Sequence, residues 1–491
     1  MNALRRTKIV CSIGPASQEI DNLIGLIDAG MNVARVNMSH GTYAEHLNTI
    51  ENVREAARRS KATIGILGDL CGPKLRITGL PSRLHLVKPG DQFVVTEDEP
   101  SQDPEEITIT SLGVLGEVEV GDVIAFADGA VRGLVQECSD HGVAVLVTQG
   151  GSLAVRKGVN LPDSHLSIPA MTEKDYQDAL FLLGQEVDFI ALSFVGSAHD
   201  LELASEFIRA NNEGHPMPRL IAKIERRDAL GRISEIIDKA DAVMVARGDL
   251  GVEIPVEEVP IEQKRIIHLA NARGKMVITA TQMLESMISA PTPTRAEASD
   301  VANAILDGTD AIMLSAETAV GSYPIEAVGQ MDRIARATEA IVADQSLTLL
   351  THPARAIHST ADAIGFAAAD LSRNLSLKVV VAVTESGHSA RTISRYRPSA
   401  MIVGATPDAF AARSLTLSYG VIPVIIPRSP STEVMVQEAI EAAIDLELCE
   451  TGDVCAFVAG IPFGVRGTTN LIKIQVVGEG FLSINERFAN D

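Results

Sequence analysis

A short β-branched run followed by a stretch with helical periodicity recurs eight times between Thr7 and Ser315, and this repetition constrains the fold more than any other feature of the sequence. Strands that alternate with helices pair in parallel through right-handed crossovers. Eight such units in about 250 residues fit a closed (β/α)₈ barrel, with an open doubly wound sheet as the structural alternative. We predict the eight strands at 8–12, 33–39, 63–69, 189–194, 220–225, 242–249, 276–281 and 311–315.

The third and fourth of these strands are separated by far more chain than a crossover helix needs. The intervening residues contain alternating segments, such as Gln92–Thr96 and Val123–Phe126, and turn sequences such as Asp128-Gly129. These patterns indicate an all-β domain inserted into a barrel loop. After residue 345 helix and strand patterns resume. We therefore predict an α/β protein with a TIM barrel over 1–71 and 171–345, an inserted β-barrel lid domain over 72–170, and a C-terminal α/β domain over 346–491.

The composition limits the class of partner. The formal net charge is −22, and this excess of acidic residues opposes binding to nucleic acid or to an anionic membrane. No apolar run approaches the roughly 18 residues of a membrane-spanning helix, and the stretch after Arg5-Arg6 is too short for a signal peptide, so we expect a cytoplasmic protein. Five scattered cysteines form no Cys-x-x-Cys pair, which favours free thiols. Local cations would have to hold any anionic substrate.

The predicted strands end in side chains capable of chemistry, and the carboxyl ends of barrel strands surround one mouth. Lys223 and Glu225 alternate with Ile224, so they lie on the same face of their strand. A buried salt bridge and part of an active site explain this pair about equally well. Asp249 on the next strand would complete a two-carboxylate site with Glu225, which suits Mg²⁺ or Mn²⁺. Gly248 lets a ligand approach the backbone closely.

Another strand end carries groups suited to phosphate. Arg35, Asn37 and Ser39 alternate along one strand, and an arginine can bind phosphate through two parallel hydrogen bonds. His40 follows them and is equally well explained as a neighbour of a helix N-cap. Thr281 ends the seventh strand, where threonine is common for reasons of strand propensity alone. Its place at the same mouth is what makes it a candidate proton relay or ligand contact.

Two further cations, Arg76 and Lys157, lie at the two ends of the inserted domain. A solvated charged surface is the usual explanation of such residues. Their position at hinges beside the barrel mouth also suits contact with a phosphate group.

Seven segments of the chain stand out together. They are Lys-Ile-Val-Cys-Ser-Ile-Gly-Pro at 8–15, Met-Asn-Val-Ala-Arg-Val-Asn-Met-Ser-His-Gly at 31–41, Gly-Val-Asn-Leu-Pro at 158–162, Ala-Lys-Ile-Glu at 222–225, Met-Val-Ala-Arg-Gly-Asp-Leu-Gly-Val-Glu at 244–253, Ala-Thr-Gln-Met-Leu-Glu-Ser-Met at 280–287 and Pro-Thr-Arg-Ala-Glu at 293–297. With these segments the chain resembles the pyruvate kinase family from residue 7 onward. The resemblance implies transfer of the phosphoryl group of phosphoenolpyruvate to ADP, giving pyruvate and ATP in the last step of glycolysis, and it implies a homotetramer.

The resemblance also implies a role for each candidate residue. Glu225 and Asp249 would hold Mg²⁺ or Mn²⁺, and Lys223 would stabilise the phosphoryl group during transfer. Thr281, together with Ser315, would help to deliver a proton to the enolate. The implied substrate contacts are Arg35, Gly248, Asp249 and Thr281, the implied catalytic residues are Lys223, Thr281, Arg35 and Ser315, and the implied nucleotide contacts are Asn37, Met38, Ser39, His40, Arg76 and Lys157.

One segment departs from the pattern of the family members that require K⁺. Those members typically carry threonine, lysine and glutamate where this chain has Leu70, Cys71 and Lys74. The other implied ligands of the monovalent cation, Asn37, Ser39 and Asp69, are present. The Lys74 ammonium could neutralise the same local negative charge as K⁺. We therefore expect an enzyme that does not require K⁺.

A loop in the C-terminal domain has the sequence expected of a phosphate-binding turn between a strand and a helix. The candidate effector residues are Thr384, Ser386, Gly387, His388 and Ser389. In the family a matching loop often binds an activating sugar phosphate. Members that respond to fructose 1,6-bisphosphate often carry basic residues where this chain has Glu385 and His388, which disfavours that activator. Another phosphorylated effector and a helix cap without a ligand are the remaining interpretations.

Two functions of other kinds compete with the kinase. A catalytically silent relative that senses phosphorylated metabolites would be expected to lose Lys223, Glu225 or Asp249, and all three are present. A metal-dependent aldolase acting on 2-oxo acids would also use a divalent ion and a lysine. The nucleotide-side residues and the inserted domain weigh against the aldolase.

Overall fold

The computed structural model describes residues 4–97, 103–164, 166–343, 359–429, 432–461 and 469–479. Eight strands form the closed parallel barrel that the strand and helix repeat predicts, which excludes the open doubly wound sheet. In spatial order, with elements numbered along the chain, these strands are β1 (Lys8–Ser12), β2 (Val33–Asn37), β3 (Gly65–Asp69), β13 (Phe189–Leu192), β14 (Arg219–Ile224), β15 (Ala242–Ala246), β16 (Met276–Ala280) and β17 (Ala311–Leu314).

Helices connect the barrel strands and cover the outside of the barrel. They are α1 (Ile20–Ala29), α2 (Tyr43–Arg59), α3 (Glu173–Gly184), α4 (Ala198–Asn211), α5 (Arg227–Gly231), α6 (Ile233–Lys239), α7 (Arg247–Glu253), α8 (Val259–Ala272), α9 (Arg295–Leu306), α10 (Ala316–Ala319) and α11 (Pro324–Ala343). Thr42, Thr172 and Thr294 each form a capping box at the start of a helix, which satisfies backbone N–H groups that have no partner within the helix.

The barrel strands are buried on both faces. Leu67 and Ile221 point into the barrel, and Leu417 of the C-terminal domain packs among the inward-facing residues. Because side chains alternate along a strand, the inward positions of β3 and β14 continue to Asp69 and Lys223 at the upper end. The fold therefore directs these two side chains into the mouth.

An all-β domain lies between β3 and α3, as the sequence predicts. Its strands are β4 (Ile77–Gly79), β5 (Leu86–Val87), β6 (Gln92–Thr96), β7 (Glu106–Ile109), β8 (Val123–Phe126), β9 (Val131–Cys138), β10 (Val143–Gln149), β11 (Gly151–Ser152) and β12 (Val159–Asn160). Seven of them form one sheet with the order β12-β8-β9-β10-β6-β7-β4, and β11 pairs with β5. A bridge between Arg76 and Gly158 joins the chain next to the two edge strands, so the sheet curls toward a barrel.

The C-terminal domain is the α/β unit that the sequence predicts, although the predicted boundary at 345/346 lies outside the described residues. Its elements are α12 (Thr360–Asn374), β18 (Val379–Val383), α13 (His388–Ser394), β19 (Met401–Thr406), α14 (Ala409–Ser414), β20 (Val421–Ile425), α15 (Thr432–Asp445), β21 (Val454–Gly460) and β22 (Thr469–Val476). The sheet order is β20-β19-β18-β21-β22. An ion pair of 2.7 Å between Arg413 and Asp188 ties this domain to the lower end of the barrel.

The thiols of all five cysteines are free, as the sequence predicts. Within the described ranges, the structure contains no helix with the length and apolarity needed to cross a membrane.

Candidate active site

Lys223 lies at the centre of the upper barrel mouth. Its ammonium is 2.8 Å from Glu225 Oε1 and 3.5 Å from Asp69 Oδ1, and it donates a hydrogen bond of 2.6 Å to Ser193 Oγ. Only 11% of the side chain is exposed. Burial alone would lower the pKa of this lysine, but the charges of Asp69 and Glu225 outweigh burial and raise the pKa above its usual value. The ammonium is therefore charged at neutral pH. The buried salt bridge that the sequence suggested exists, and it lies in the mouth.

The two carboxylates predicted to bind metal each form an ion pair with a lysine ammonium. Glu225 is paired with Lys223 and accepts a hydrogen bond of 2.8 Å from the Phe194 N–H. Burial, together with the nearby charge of Asp249, raises the pKa of Glu225. Asp249 accepts a hydrogen bond of 3.0 Å from the Lys74 ammonium. Burial opposes ionisation of Asp249 too, but Lys74 and Lys223 outweigh it and lower the pKa.

Asp249 lies on a helix, so the predicted strand over 242–249 is wrong at its end. β15 ends at Ala246, and α7 begins at Arg247. The chain turns here because Arg247 Nη2 donates a hydrogen bond of 2.8 Å to the carbonyl oxygen of Thr281, and the Gly248 N–H donates one of 2.7 Å to Thr281 Oγ1. The predicted strand over 8–12 agrees with β1, and the remaining predicted barrel strands differ from the structure by one or two residues at one or both ends.

Thr281 directly follows β16 and is hydrogen-bonded to the first turn of α7. Its hydroxyl accepts the hydrogen bond from Gly248 and donates one of 2.6 Å to the Ala280 carbonyl oxygen. The φ angle of Thr281 is 67°, which is strained for a β-branched residue and is typical of functional sites. Ser315 follows β17, and its N–H donates a hydrogen bond of 2.7 Å to Glu317. Among the described residues, no hydrogen bond joins Thr281 to Ser315.

Arg35 and Asp69 form the second charged pair of the mouth. Arg35 Nε and Nη2 both lie 2.6 Å from Asp69 Oδ2, and Arg35 Nη1 donates a hydrogen bond of 2.7 Å to Ser12 Oγ. Asp69 Oδ1 is buried and has no hydrogen-bond partner within the described part of the chain, although it faces Lys223. A buried oxygen without a partner leaves a place that a cation can fill.

The predicted nucleotide residues that follow β2 divide into two groups. Asn37 Oδ1 accepts a hydrogen bond of 3.1 Å from the Ser39 N–H, and His40 is exposed at the rim. The Met38 side chain is buried in the core between the barrel strands and the outer helices. The Met38 N–H donates a hydrogen bond of 3.0 Å to the Asp69 carbonyl oxygen, and its own carbonyl oxygen accepts one of 2.8 Å from the Lys174 ammonium.

The hinge cations lie on paired segments at the base of the inserted domain. Arg76 Nη1 donates a hydrogen bond of 2.9 Å to the Arg156 carbonyl oxygen, and the Ile77 N–H donates one of 3.0 Å to the Lys157 carbonyl oxygen. The Lys157 side chain is exposed. The structure thus brings Arg76 and Lys157 to neighbouring segments.

Lys74 has a different partner from the one expected. The sequence places its ammonium near the monovalent-cation residues, whereas the hydrogen bond that the structure gives it goes to Asp249. Leu70, one of those residues, accepts a hydrogen bond of 2.7 Å from Ser193 Oγ at its carbonyl oxygen.

Sequence reasoning left Ser193 and Ser12 without a role. Ser193 joins Lys223 to the Leu70 carbonyl oxygen, and Ser12 supports Arg35. The alternation of side chains along a strand could have identified Ser193, because it lies two residues after the inward-facing Ala191 at the end of β13.

The effector loop precedes α13. Gly387 has a φ angle of 77°, a left-handed conformation that favours glycine. Ser389 Oγ lies 2.6 Å from Thr469 Oγ1, so this predicted ligand is already hydrogen-bonded. Thr384 is also buried.

The charge of this loop differs from the sequence expectation. Glu385 was expected to repel phosphate, but Arg428 pairs with both of its carboxylate oxygens at 2.9 and 3.2 Å. Burial, followed by the charge of Arg391, lowers the pKa of His388, so this histidine is neutral at pH 7. The loop therefore carries neither a free negative charge at Glu385 nor a positive charge at His388.

The donor set at the mouth fits a divalent ion with an incomplete protein shell. Within the described residues, no group of three or more His, Cys, Asp or Glu side chains forms a closed metal site. Mg²⁺ is commonly bound by one or two carboxylates together with water and substrate oxygens. Glu225 and Asp249 meet that requirement, and the ammonium groups of Lys223 and Lys74 lie beside them.

A barrel whose mouth joins an ammonium to several carboxylates, with a β domain inserted beside that mouth, defines a class of enzymes that act on metal-bound anions. Two family models match the chain. The model described as "Pyruvate kinase, barrel domain" matches residues 4–328, and the one described as "Pyruvate kinase, alpha/beta domain" matches residues 362–475. The chain belongs to the pyruvate kinase family, which confirms the resemblance in its sequence.

Relatives and solved structures agree with this assignment. The pyruvate kinase of Sporosarcina psychrophila is 44% identical over 479 residues, which is 97% of this chain and 81% of that protein. The pyruvate kinase of Geobacillus stearothermophilus is 43% identical over 478 residues, with the same two coverages. A crystal structure of a pyruvate kinase from Cryptosporidium parvum has a TM-score of 0.88 and 36% identity, and the match covers 96% of each chain.

Proposed function

We propose that the barrel mouth carries out the reaction of the family, transfer of the phosphoryl group of phosphoenolpyruvate to ADP to form pyruvate and ATP. The observation that supports this most directly is that two carboxylates converge on Lys223, whose ammonium lies 3.5 Å from Asp69 Oδ1 and 2.8 Å from Glu225 Oε1. A coupled assay with phosphoenolpyruvate, ADP and Mg²⁺ tests the proposal. Formation of pyruvate that requires ADP supports it, whereas release of pyruvate without ATP would contradict it.

We propose that Glu225 and Asp249 hold Mg²⁺ or Mn²⁺. When bound, the ion neutralises charge on the phosphoryl and enolate oxygens. Two observations support this assignment: the lowered pKa of Asp249 keeps this carboxylate ionised at neutral pH, and Glu225 lies near enough for the charge of Asp249 to affect its pKa. Titration of the protein with Mn²⁺, followed by electron paramagnetic resonance, tests it. Glu225→Gln should weaken Mn²⁺ binding, and unchanged binding would contradict the assignment.

Lys223 is proposed to stabilise the phosphoryl group in transfer, because it carries an ammonium that stays charged and is almost buried. Phosphoryl transfer depends mainly on positioning and on neutralising charge. Arg35 is proposed to bind the substrate phosphate with the edge that Asp69 and Ser12 do not occupy. Both cations are oriented by hydrogen bonds before the substrate arrives, which reduces the cost of ordering them.

Thr281 is proposed to deliver a proton to the enolate, with Ser315 contributing at the same mouth. Thr281 also positions the Gly248 N–H, and Gly248 and Asp249 are proposed to contact the enolpyruvate. Because the hydroxyl already donates to the Ala280 carbonyl oxygen, it has to rotate away from that bond before it can protonate a carbon.

The nucleotide is proposed to bind between the segment after β2 and the hinge of the inserted domain. Asn37, Ser39 and His40 would contact it on one side, with Met38 contributing only its backbone, and Arg76 and Lys157 would contact its phosphates on the other. The pairing of the two hinge segments supports this proposal, since it keeps both cations on the same part of the domain.

Activity without K⁺ is proposed, with Lys74 supplying the positive charge. Lys74 contacts Asp249 rather than Asp69. It would therefore replace the charge of K⁺ from a position beside a proposed metal ligand and not from the K⁺ pocket itself. Mg²⁺ or Mn²⁺ remains the proposed cofactor. The monovalent pocket formed by Asn37, Ser39, Asp69 and the Leu70 carbonyl oxygen would then remain without K⁺.

A phosphorylated effector at the loop from Thr384 to Ser389 is proposed, and neutralisation of Glu385 by Arg428 supports it. Isothermal titration with sugar phosphates and AMP separates an effector site from a helix cap. The homotetramer and the cytoplasmic location stay predictions, and sedimentation equilibrium tests the first. The silent sensor and the aldolase lose support, since the chain belongs to a kinase family and keeps Lys223.

A further inference from the structure

A cavity of about 380 Å³ lies between the inserted β domain and the barrel, and it is separate from the mouth. Arg132 on β9 and Val123 on β8 line it from the inserted domain. Val252, at the end of α7, and Val256, which follows that helix, line it from the barrel. The volume falls within the range of small-molecule sites, roughly 300 to 1,000 Å³.

Of the two arginines that line the cavity, one has an ion-pair partner and the other can interact with a ligand. Arg227 pairs with Asp163 at 2.9 Å, so these two lining residues neutralise each other. Glu253 is buried, and burial raises its pKa, while its Oε1 accepts a hydrogen bond of 2.8 Å from Asn160. The guanidinium of Arg132, by contrast, has no hydrogen bond and no ion pair with any described residue.

The remaining wall is apolar and partly open to solvent. Val252 is almost fully buried, whereas Val256 is 75% exposed at the rim. An apolar side chain this exposed next to a cavity offers contact area that a ligand can cover. Glu257, at the same rim, is an exposed carboxylate. It repels a ligand with two negative charges more strongly than a ligand with one.

We propose that this cavity binds an organic monoanion with an apolar body, whose carboxylate or sulfonate group pairs with Arg132 and whose body packs on Val252 and Val256. A guanidinium can pair with two oxygens of a carboxylate or a sulfonate through two hydrogen bonds. The inferred site does not depend on the phosphoryl-transfer proposal. Because its two walls belong to different domains, an occupant would favour one arrangement of the inserted domain over others.

The test uses the full chain and 8-anilinonaphthalene-1-sulfonate, an apolar aromatic monoanion whose fluorescence increases when it is shielded from water. Excess ATP with Mg²⁺ is added to fill the mouth, since ATP does not react there in the absence of pyruvate. The wild-type protein should retain saturable dye binding under these conditions. Arg132→Gln should weaken that binding about tenfold or more, since one charge-assisted pair is lost. Arg132→Lys should recover part of the affinity.

Two controls separate this site from general dye binding. Lys88→Gln removes a positive charge from the same domain away from the cavity, and it should leave dye affinity unchanged. Val256→Trp fills the rim and should weaken dye binding while keeping the charge of Arg132. The chain has no tryptophan, so the fluorescence of this new residue also reports its burial in the cavity.

Competition identifies the class of ligand. Hexanoate should displace the dye from the wild-type protein, and inorganic phosphate at the same ionic strength should not. Equal dye affinity in wild type and Arg132→Gln would overturn the proposal, and so would displacement by phosphate. Circular dichroism melts confirm that each variant is folded.

Discussion

Replacement of Lys223 by methionine is the most direct test of the mouth. The substitution keeps most of the side-chain volume but removes the ammonium that lies 2.8 Å from Glu225 and 3.5 Å from Asp69. Losing a central charge-stabilising group at a phosphoryl-transfer site costs on the order of 10³ in rate, which corresponds to about 4 kcal/mol of transition-state stabilisation. We therefore expect ATP formation to fall by about 10³-fold or more.

The same change leaves two carboxylates that are 1% exposed without their shared cation. Breaking a buried ion pair in this way typically costs about 3 to 5 kcal/mol. The structure favours the low end of that range. Asp69 keeps its contacts of 2.6 Å with Arg35, and Glu225, whose pKa is already raised, can take up a proton. We expect a lower Tm but a folded protein.

Quenched-flow measurement of ATP gives the rate, and thermal unfolding gives the stability. The double variant Lys223→Met with Glu225→Gln should regain part of the lost Tm, because it removes a carboxylate that has no cation, and it should regain no activity. Lys239→Met is the matched control: it removes a surface ammonium paired with Glu202 and should change neither quantity appreciably. ATP formation by Lys223→Met within tenfold of wild type would refute the role assigned to Lys223.

Three further predictions follow from single residues. The wild-type enzyme should be active in buffer free of K⁺, and Lys74→Met should lose at least about tenfold there; a strong response of the wild type to K⁺ would contradict the role of Lys74. Thr281→Val should slow exchange of the pyruvate methyl protons with D₂O by about 10² or more, while Thr281→Ser keeps most of it; equal rates in both variants would exclude the hydroxyl as a proton donor. Burial, followed by the charge of Arg5, lowers the pKa of Lys8 to about 7 against 10.5 for an ordinary lysine. Between these values the unfolded chain binds more protons at this site than the folded one, so this site increases stability by about 1.4 kcal/mol for each pH unit. The Tm of Lys8→Met relative to wild type should therefore fall from pH 7 to pH 9, and a constant difference would mean that Lys8 does not titrate there.

The strands of the barrel were predictable because their signals are local. Each strand is a short β-branched run. Parallel strands are buried on both faces, so nearly every residue in them has to be apolar. Period two also placed Lys223 and Glu225 on one face, since alternation follows from the geometry of a single strand. The predicted strand end at Asp249 was wrong because contacts with the end of the neighbouring strand turn the chain there: the Arg247 guanidinium donates to the Thr281 carbonyl oxygen, and the Gly248 N–H donates to Thr281 Oγ1.

The partners of the site residues were not predictable in the same way. The sequence presented Lys74 as a substitute for a monovalent cation near Asp69, and the folded chain places it against Asp249 on α7. Ser193 gained its place between Lys223 and Leu70 only because β13 lies between β3 and β14 in the closed barrel. The sequence gives no sign that the Arg132 guanidinium lacks a partner among the residues that the structure describes.

The amino-acid sequence by itself therefore determined the number and order of the barrel strands, the inserted domain, the family and the shared face of Lys223 and Glu225. All of these depend on patterns within a few neighbouring residues or on motifs that are continuous along the chain. The tertiary structure decided which ammonium neutralises which carboxylate, where Asp249 lies, and that a cavity remains between two domains. These features depend on distances between residues far apart in sequence, and only closure of the barrel and packing of the domains set those distances.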